Sequence, residues 1–226
     1  MIARVSTYSL ETNSGETARG YAPLTMTEAP KSRRAEYAAA TRTAIIEAAR
    51  LLFARNGYFA TKIEDIAVEA RVAPATVYAV TGGKQGLIRT LVDLWSQAPI
   101  VAQTLSRQEA LTDPDEILRD TAATVRAMRE TYGDIMRLML TTAPHHTEVA
   151  ENLRVATKRY RDAIQAVAVR LGDVGGLREG MTVAEATDIL WFYFGYSGYF
   201  TLLDDNGWTY EQSERWLVTQ AATALR

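Results

Sequence analysis

From residue 43 to residue 90 three apolar runs in helical register follow one another, each closed by a turn signal, with a proline leading the third. In the first, Ile45, Ile46, Ala49, Leu52 and Phe53 recur at the three-and-four spacing that lines one helix face, while Arg42, Glu47, Arg50 and Arg55 form the opposite one. Asn56-Gly57 supplies the left-handed residue that ends a helix, and Tyr58 and Phe59 turn the chain back onto the apolar face. Thr61 is placed to cap a second helix whose inner face is Ile63, Ile66, Ala67 and Ala70, with Glu64, Asp65 and Glu69 in solvent. That helix is too short to stand alone. Ala70-Arg71-Val72 follows as a tight turn, and Pro74 sits where a helix accepts proline, so the third helix spans about residues 74 to 80.

Two short helices joined by a tight turn and held by a longer one read as a helix-turn-helix. In that geometry the second helix crosses a DNA backbone and the N-terminal half of the third enters the major groove. Ala73, Pro74, Ala75, Thr76 and Tyr78 are then the side chains nearest the bases, with Lys62 beside the backbone. Taken singly, Tyr78 also reads as a core tyrosine with a wet hydroxyl, Lys84 as a surface lysine and Thr61 as a helix cap. Their joint order and spacing carry the argument.

The string AIIEAARLLFARNGYFATKIEDIAVEARVAPATVYAVTGGKQGLI, within residues 40 to 95, resembles the DNA-binding domain of the tetracycline-repressor (TetR) family. Gly57-Tyr58, Ala60-Thr61, Asp65-Ile66-Ala67, Thr76-Val77-Tyr78 and Lys84 fall on its pattern in order and spacing. The resemblance implies that Thr61, Tyr78 and Lys84 contact phosphates and that Ala73 to Tyr78 form the recognition helix. Two positions depart from the pattern. Arg71 stands where the family has glycine, and must adopt a left-handed conformation at roughly 1 kcal/mol or more, or reshape the turn. Thr81 stands where the family has phenylalanine, which removes an apolar anchor between the third and fourth helices.

The net charge of −2 conceals a division along the chain. Residues 31 to 90 hold ten Lys or Arg against five Asp or Glu, whereas residues 91 to 226 hold thirteen against nineteen. The positive field therefore lies at one end only, where phosphates would lie. With no cysteine, disulfides, thiolate zinc sites and thiol redox sensing are excluded. No apolar run reaches the roughly eighteen residues of a membrane span, and residues 1 to 25 lack the charged start and apolar stretch of a signal peptide. A cytoplasmic location is expected.

Residues 1 to 34, rich in Ser, Thr, Gly and Pro at their start, read as a disordered tail, and Met26 offers a second plausible start. Lys31, Arg33 and Arg34, just before the first helix, read either as a basic arm on DNA or as a solvating segment. Residues 35 to 84 form the helix-turn-helix unit and residues 85 to 226 a ligand-binding and dimerisation unit. Beyond Gln85 every segment is helical in period. A fourth helix runs from Leu87 to about Arg107, bent near Pro99; a fifth from Pro114 to about Tyr132 is separated by Gly133 from a short sixth. A seventh starts at His145 or His146 and runs to about Leu171, an eighth runs from Thr182 to about Asp204, and a ninth from Thr209 to Leu225. The expected fold is all-α, with a three-helix N-terminal unit on a larger C-terminal bundle and about nine helices in all.

WFYFGYSGYF, residues 191 to 200, is apolar almost all round, and Gly195, Ser197 and Gly198 permit close helix approach. The resemblance implies a homodimer through about residues 182 to 225; a wholly internal helix is the alternative reading. Dimerisation has a mechanical reason, because two recognition helices spaced by roughly 34 to 36 Å read a palindromic operator in double-stranded DNA. Trp95, Met128, Tyr132, Met136, Met139, Trp191 and Phe194 supply material for an apolar effector cavity, with Tyr132, Met136 and Trp191 the selected candidates. The expected mechanism is repression of transcription, relieved when a small apolar or aromatic effector swings the fourth helix.

An enzyme and a helical adaptor without DNA binding are the competing classes. His145-His146, with Glu148 and Glu151, is the obvious catalytic or metal candidate. Adjacent helical residues point about 100° apart, so the two imidazoles do not form the pair at four-residue spacing that holds one metal. The sequence contains neither a glycine-rich phosphate loop after a strand nor a nucleophile elbow. No catalytic residue, cofactor or metal is therefore assigned.

Overall fold

A computed structural model of the chain describes residues 32–226, which are helical throughout, with no strand among them. Ten α-helices follow in order: α1 (Arg33–Asn56), α2 (Ile63–Glu69), α3 (Pro74–Thr81), α4 (Lys84–Ser96), α5 (Pro99–Gln108), α6 (Pro114–Thr142), α7 (Thr147–Asp173), α8 (Val183–Phe194), α9 (Tyr196–Phe200) and α10 (Tyr210–Leu225). A 3-10 turn (Ala143–His145) joins α6 to α7, and a π-helical turn (Thr201–Asp205) follows α9. The tail expected over residues 1 to 34 lies outside the described residues up to residue 31.

α1 begins earlier than the apolar period indicates. Ser32 caps it by accepting from the Ala35 amide, which places Arg33 and Arg34 inside the first turn and not in an arm before it. The first two turns are exposed on every side, so they carry no apolar stripe; the run AEYAAA holds them helical by propensity. At the other end Gly57 takes φ 80° and donates its amide to the Phe53 carbonyl.

Three of the expected boundaries move. The bend at Pro99 is a break: α4 stops at Ser96, and Pro99 opens α5 at a position where its missing N–H is not needed. Gly133 interrupts nothing, because α6 runs unbroken through it, and a mid-helix glycine costs only about 1 kcal/mol. A β-carbon there would lie 3.0 Å from the Arg137 guanidinium of the same helix and in ordinary contact with the Phe200 ring at 3.8 Å. The expected eighth helix is divided at Gly195, whose extended backbone (φ −63°, ψ −174°) ends α8 and opens α9. Gly195 and Gly198 crowd their own chain, at the Trp191 and Phe192 carbonyls, and do not mark the approach of another helix.

Two buried clusters hold the molecule. One runs from Ile45, Phe53, Ile66 and Val77 through Leu87, Leu91 and Trp95 to Met128, Met136 and Tyr196. The other joins Ile117, Ile164, Leu171, Leu190, Phe194 and Leu217 from α6, α7, α8 and α10. α7 lies against α4, α6 and α8 and so touches both.

Candidate DNA-reading face and effector cavity

The turn between α2 and α3 resolves the departure at Arg71. Arg71 takes φ 55°, the one non-glycine residue with positive φ among the described residues, while its amide donates to the Val68 carbonyl and the Val72 amide to the Ala67 carbonyl. This pair of bonds is the reverse turn that usually carries glycine. Here the conformational cost falls on an exposed arginine.

α3 presents Ala73, Pro74 and Ala75 to solvent, with Thr76 half-buried and Val77 sealed inside. Tyr78 is 55% exposed, and its ring lies over Gly83, where a β-carbon would come within 3.1 Å of it. Gly83 thus gives the ring its seat. Arg42 of α1 donates to the Val80 carbonyl at 2.9 Å, placing a cation at the C-terminal end of α3. Thr81 bridges the junction left without its aromatic anchor: its hydroxyl donates to the Val77 carbonyl at 2.7 Å and accepts from the Gly83 amide at 3.3 Å. α4 closes on the same place, since a β-carbon on Gly86 would lie 1.5 Å from the Thr81 carbonyl oxygen.

Two of the residues expected on phosphates turn inward. The Thr61 hydroxyl donates to the Leu52 and Gly57 carbonyls at 3.2 and 2.8 Å and is buried, so the cap expected of it falls to Lys62. The Lys62 amide donates to the Asp65 carboxylate at 3.1 Å, and its side chain is exposed. Lys84 directs its ammonium to the Tyr58 carbonyl and over the Tyr58 ring, 4.2 Å from the centroid. Desolvation there pulls its pKa below the ordinary lysine value. Local order did not reveal either contact, because each crosses a loop to a carbonyl that has no sequence signature.

The bundle holds a narrow cavity, part of it open to solvent, between α4, α5, α6 and α7. Its walls are apolar, with Trp95, Val125, Met128, Met136 and Ile164 among them, and Ser96 and Arg159 stand at its rim. Of the three selected effector candidates only Met136 lines it. Tyr132 packs instead on the cluster beneath α1, with the Arg50 guanidinium 5.9 Å from its ring. Trp191 stacks edge-on against Tyr160 and Tyr196, at 5.2 and 5.5 Å, outside the lining. Trp95 and Met128, from the wider set, do line it, whereas Met139 and Phe194 are core.

Arg129 was missed by sequence reading. It is 1% exposed and reaches the cavity from α6 with its guanidinium among Tyr160, Tyr196, Tyr199 and Phe200, each ring centroid 5.4 to 5.6 Å away. An arginine in the run VRAMRETYG looks like a solvated helix face, and only the packing of α9 over α6 buries it.

His145 and His146 precede α7 and are not stacked along it: His145 belongs to the 3-10 turn and His146 is the residue before the first turn of α7. His146 lies edge-on to Tyr58 at 5.2 Å and near Phe59 at 6.3 Å, linking the α1–α2 loop to the bundle. A second link joins α1 to α6, where Arg50 holds Asp134 through bonds of 2.6 and 2.7 Å. Burial raises the Asp134 carboxyl pKa, but the Arg50 hydrogen bonds and charge outweigh it and leave the group below the usual carboxylate value. No cluster of three metal-ligating side chains occurs among the described residues.

The segment 191 to 200 proves to be divided between surface and interior. Phe194, Tyr196, Tyr199 and Phe200 are buried in the chain's own clusters, while Phe192 is 73% exposed. Beside it on α8 and α10 lie Tyr193 and Trp216, with ring centroids 6.5 Å apart, and Trp208 lies 5.8 Å from Trp216. Trp216 is 40% exposed. No helix of the described residues is long and apolar enough to cross a membrane.

Comparison with known proteins bears on the same regions. Similar folds occur in the complex of SmeT with triclosan (20% identity, 82% of this chain and 91% of that one, TM-score 0.67) and in PfmR from Thermus thermophilus, a TetR family transcriptional regulator (21%, 80% and 98%, 0.65). The transcriptional regulator FadR from Bacillus subtilis in complex with stearoyl-CoA is alike to a similar degree (16%, 81% and 99%, 0.64). No curated protein matches the chain. Residues 45–91, which carry the second half of α1, all of α2 and α3 and the first part of α4, match the family model of the bacterial regulatory proteins of the tetR family. The helix-turn-helix of this chain thus matches the DNA-binding domain of the bacterial regulatory proteins of the tetR family, and its whole fold is similar to theirs.

Proposed function

We propose that the protein is a ligand-responsive transcriptional repressor, released from its operator by a small apolar or aromatic effector. Residues 35 to 84 read the DNA, and residues 85 to 226 bind the effector and join two copies. The observation that carries this reading is the position of α4. Its last turn supplies Trp95 and Ser96 to the cavity, while its first residue, Lys84, lies three residues beyond the end of α3. A molecule that pushes on Trp95 therefore moves the element against which the recognition helix is seated at Gly86.

In this reading Ala73, Pro74, Ala75 and Thr76 face base edges, and Tyr78 and Lys62 face phosphates. Lys84 reaches a phosphate on exchanging the Tyr58 carbonyl for it, and Thr61 buttresses the loop from inside. Three small apolar residues at the front of α3 offer few hydrogen bonds, so methyl contacts and DNA shape supply much of the selectivity. Phe192, Tyr193, Trp208 and Trp216 cover one another across two copies, joining the dimer through residues 182 to 225 at the spacing of a palindromic operator. The triclosan and stearoyl-CoA complexes of the structural neighbours support an apolar effector. A coupling of about 1 to 3 kcal/mol lowers operator affinity some 5- to 150-fold.

The test is a titration of the purified protein into labelled DNA from immediately upstream of its own gene, at two salt concentrations, against random DNA. Tight binding that exceeds the control and falls steeply with salt is expected. Absence of binding to any DNA supports instead a helical adaptor or a small-molecule enzyme.

A further inference from the structure

The cavity contains one charged group that the bundle leaves without a counter-ion. Arg129 offers five N–H donors. Nη1 meets only the Met136 sulfur at 3.3 Å, a weak acceptor, and Nη2 is shared among the Tyr160 hydroxyl at 3.3 Å and the Phe194 and Gly195 carbonyls at 3.0 and 3.1 Å. Nε is buried with no partner. Arg129 forms no ion pair among the described residues; its neighbour Glu130 is held by Arg126. The surrounding rings and the carbonyl end of α8 offset part of the charge. A buried guanidinium without a carboxylate is nonetheless costly, and its net charge favours an anion that enters the cavity.

We propose that the effector is an apolar carboxylate whose head group binds Arg129 on the cavity floor, with its hydrocarbon or aromatic body along Trp95, Met128 and Ile164. This rests on the cavity being the effector site and names the chemistry that site takes. The rim agrees with it. Arg159 stands there 2.9 Å from the Ser96 hydroxyl and paired at 3.5 Å with Asp93, a cation whose exposed, loose pair can open toward an arriving anion. An anion is drawn in past Arg159 and held where the guanidinium is dry and a charge-assisted pair is strongest.

Capping of α8 by Arg129 is the purely structural alternative, and matched ligands separate the two. Calorimetric titration of the full chain uses octanoate against octan-1-ol and 2-naphthoate against 2-naphthylmethanol, pairs that differ in the charged head. The acid is expected to bind at least about tenfold more tightly than the alcohol in one pair or both. Arg129→Met should erase that preference while keeping alcohol binding, and Arg129→Lys, which retains the charge but not the fork, should reduce it. Equal binding of acid and alcohol, no binding of any of the four, or a preference that survives Arg129→Met overturns the proposal. So does a preference that Arg159→Gln removes and Arg129→Met does not. If Arg129→Met fails to fold, the Lys variant decides: a reduced preference supports the head-group assignment and an unchanged one overturns it.

The effector reading is followed separately, by release of operator DNA. Acids that bind through Arg129 yet leave the DNA complex intact uphold the head-group assignment and defeat the effector reading. Release of DNA by apolar compounds with no advantage for acids does the reverse.

Discussion

One buried cluster runs from Ile45 and Val77 behind α3 to Met128 and Met136 at the cavity, whereas the other, from Ile117 to Leu225, stays within α5 to α10 and their turns. The first is continuous across the boundary expected near residue 85; the second holds α6, α7, α8 and α10 as a base. Both clusters reach the cavity, the first through Trp95, Met128 and Met136 and the second through Val125, Ile164 and Val167, but only the first continues to α3. In the proposed mechanism a shift of α4 repacks the first cluster and is felt at α3, while the second keeps the aromatic face of α8 and α10 in place. α7 and Arg129 are where they meet, since Arg129 lines the cavity from α6 and donates to the Phe194 carbonyl of the second cluster.

The comparison can be broken at the seat of the recognition helix. Gly86→Ala drives a β-carbon into the Thr81 carbonyl and should cost about 3 kcal/mol or more locally, abolishing DNA binding while the C-terminal bundle keeps its helicity by circular dichroism. Loss of helicity throughout would show that the two clusters unfold as one. Leu171→Ala, deep in the second cluster, should destabilise by about 2 to 5 kcal/mol with little change in effector response, measured by thermal melting and DNA release together. Met136→Ala, in the first cluster and at the cavity, should alter the response out of proportion to its effect on melting.

Smaller changes sharpen the picture. Trp216→Asp puts a charge on the exposed aromatic face and should shift the protein to monomer in sedimentation, with operator affinity falling about a hundredfold because one head reads half a site. Tyr78→Ala should lower DNA affinity about tenfold and leave stability within roughly 1 kcal/mol, since the ring is more than half exposed.

The smallest effect concerns Arg50 and Asp134, which tie α1 to α6 with both side chains 35% exposed. Asp134 is depressed below its unfolded value, so its stabilisation is present above that value and is lost as pH falls through the folded one. Asp134→Asn should therefore cost less than about 1 kcal/mol at neutral pH after solvent screening, and should flatten the acid limb of a melting-against-pH curve.

The parts that were legible in the sequence are those decided within a few residues. Ile45, Leu52 and Ile66 fall inside because helical periodicity puts them there; Gly57 and Pro74 mark ends that backbone geometry requires, and Arg71 takes the left-handed conformation that its place in the turn demands. Gly133 misled because a single glycine costs a helix only about 1 kcal/mol, which the packing of a long α6 easily outweighs. That Tyr132 and Trp191 lie outside the cavity lining was not legible, because an aromatic on a half-apolar helix is equally at home against a neighbouring helix or beside a void.

By itself the amino-acid sequence determined an all-helical chain with a helix-turn-helix near its start, because helix register, caps and turns are local properties of the backbone and its nearest side chains. Tertiary structure alone decided which side chains meet the cavity, that Lys84 and Thr61 turn inward, and that Arg129 is buried without a carboxylate. The burial of Arg129 depends on how α6 meets α7 and α9, through Tyr160, Phe194 and Gly195, all more than thirty positions away. Thr61 and Lys84 reach carbonyls across the loops around α2 and α3, and no local pattern encodes which carbonyl is met.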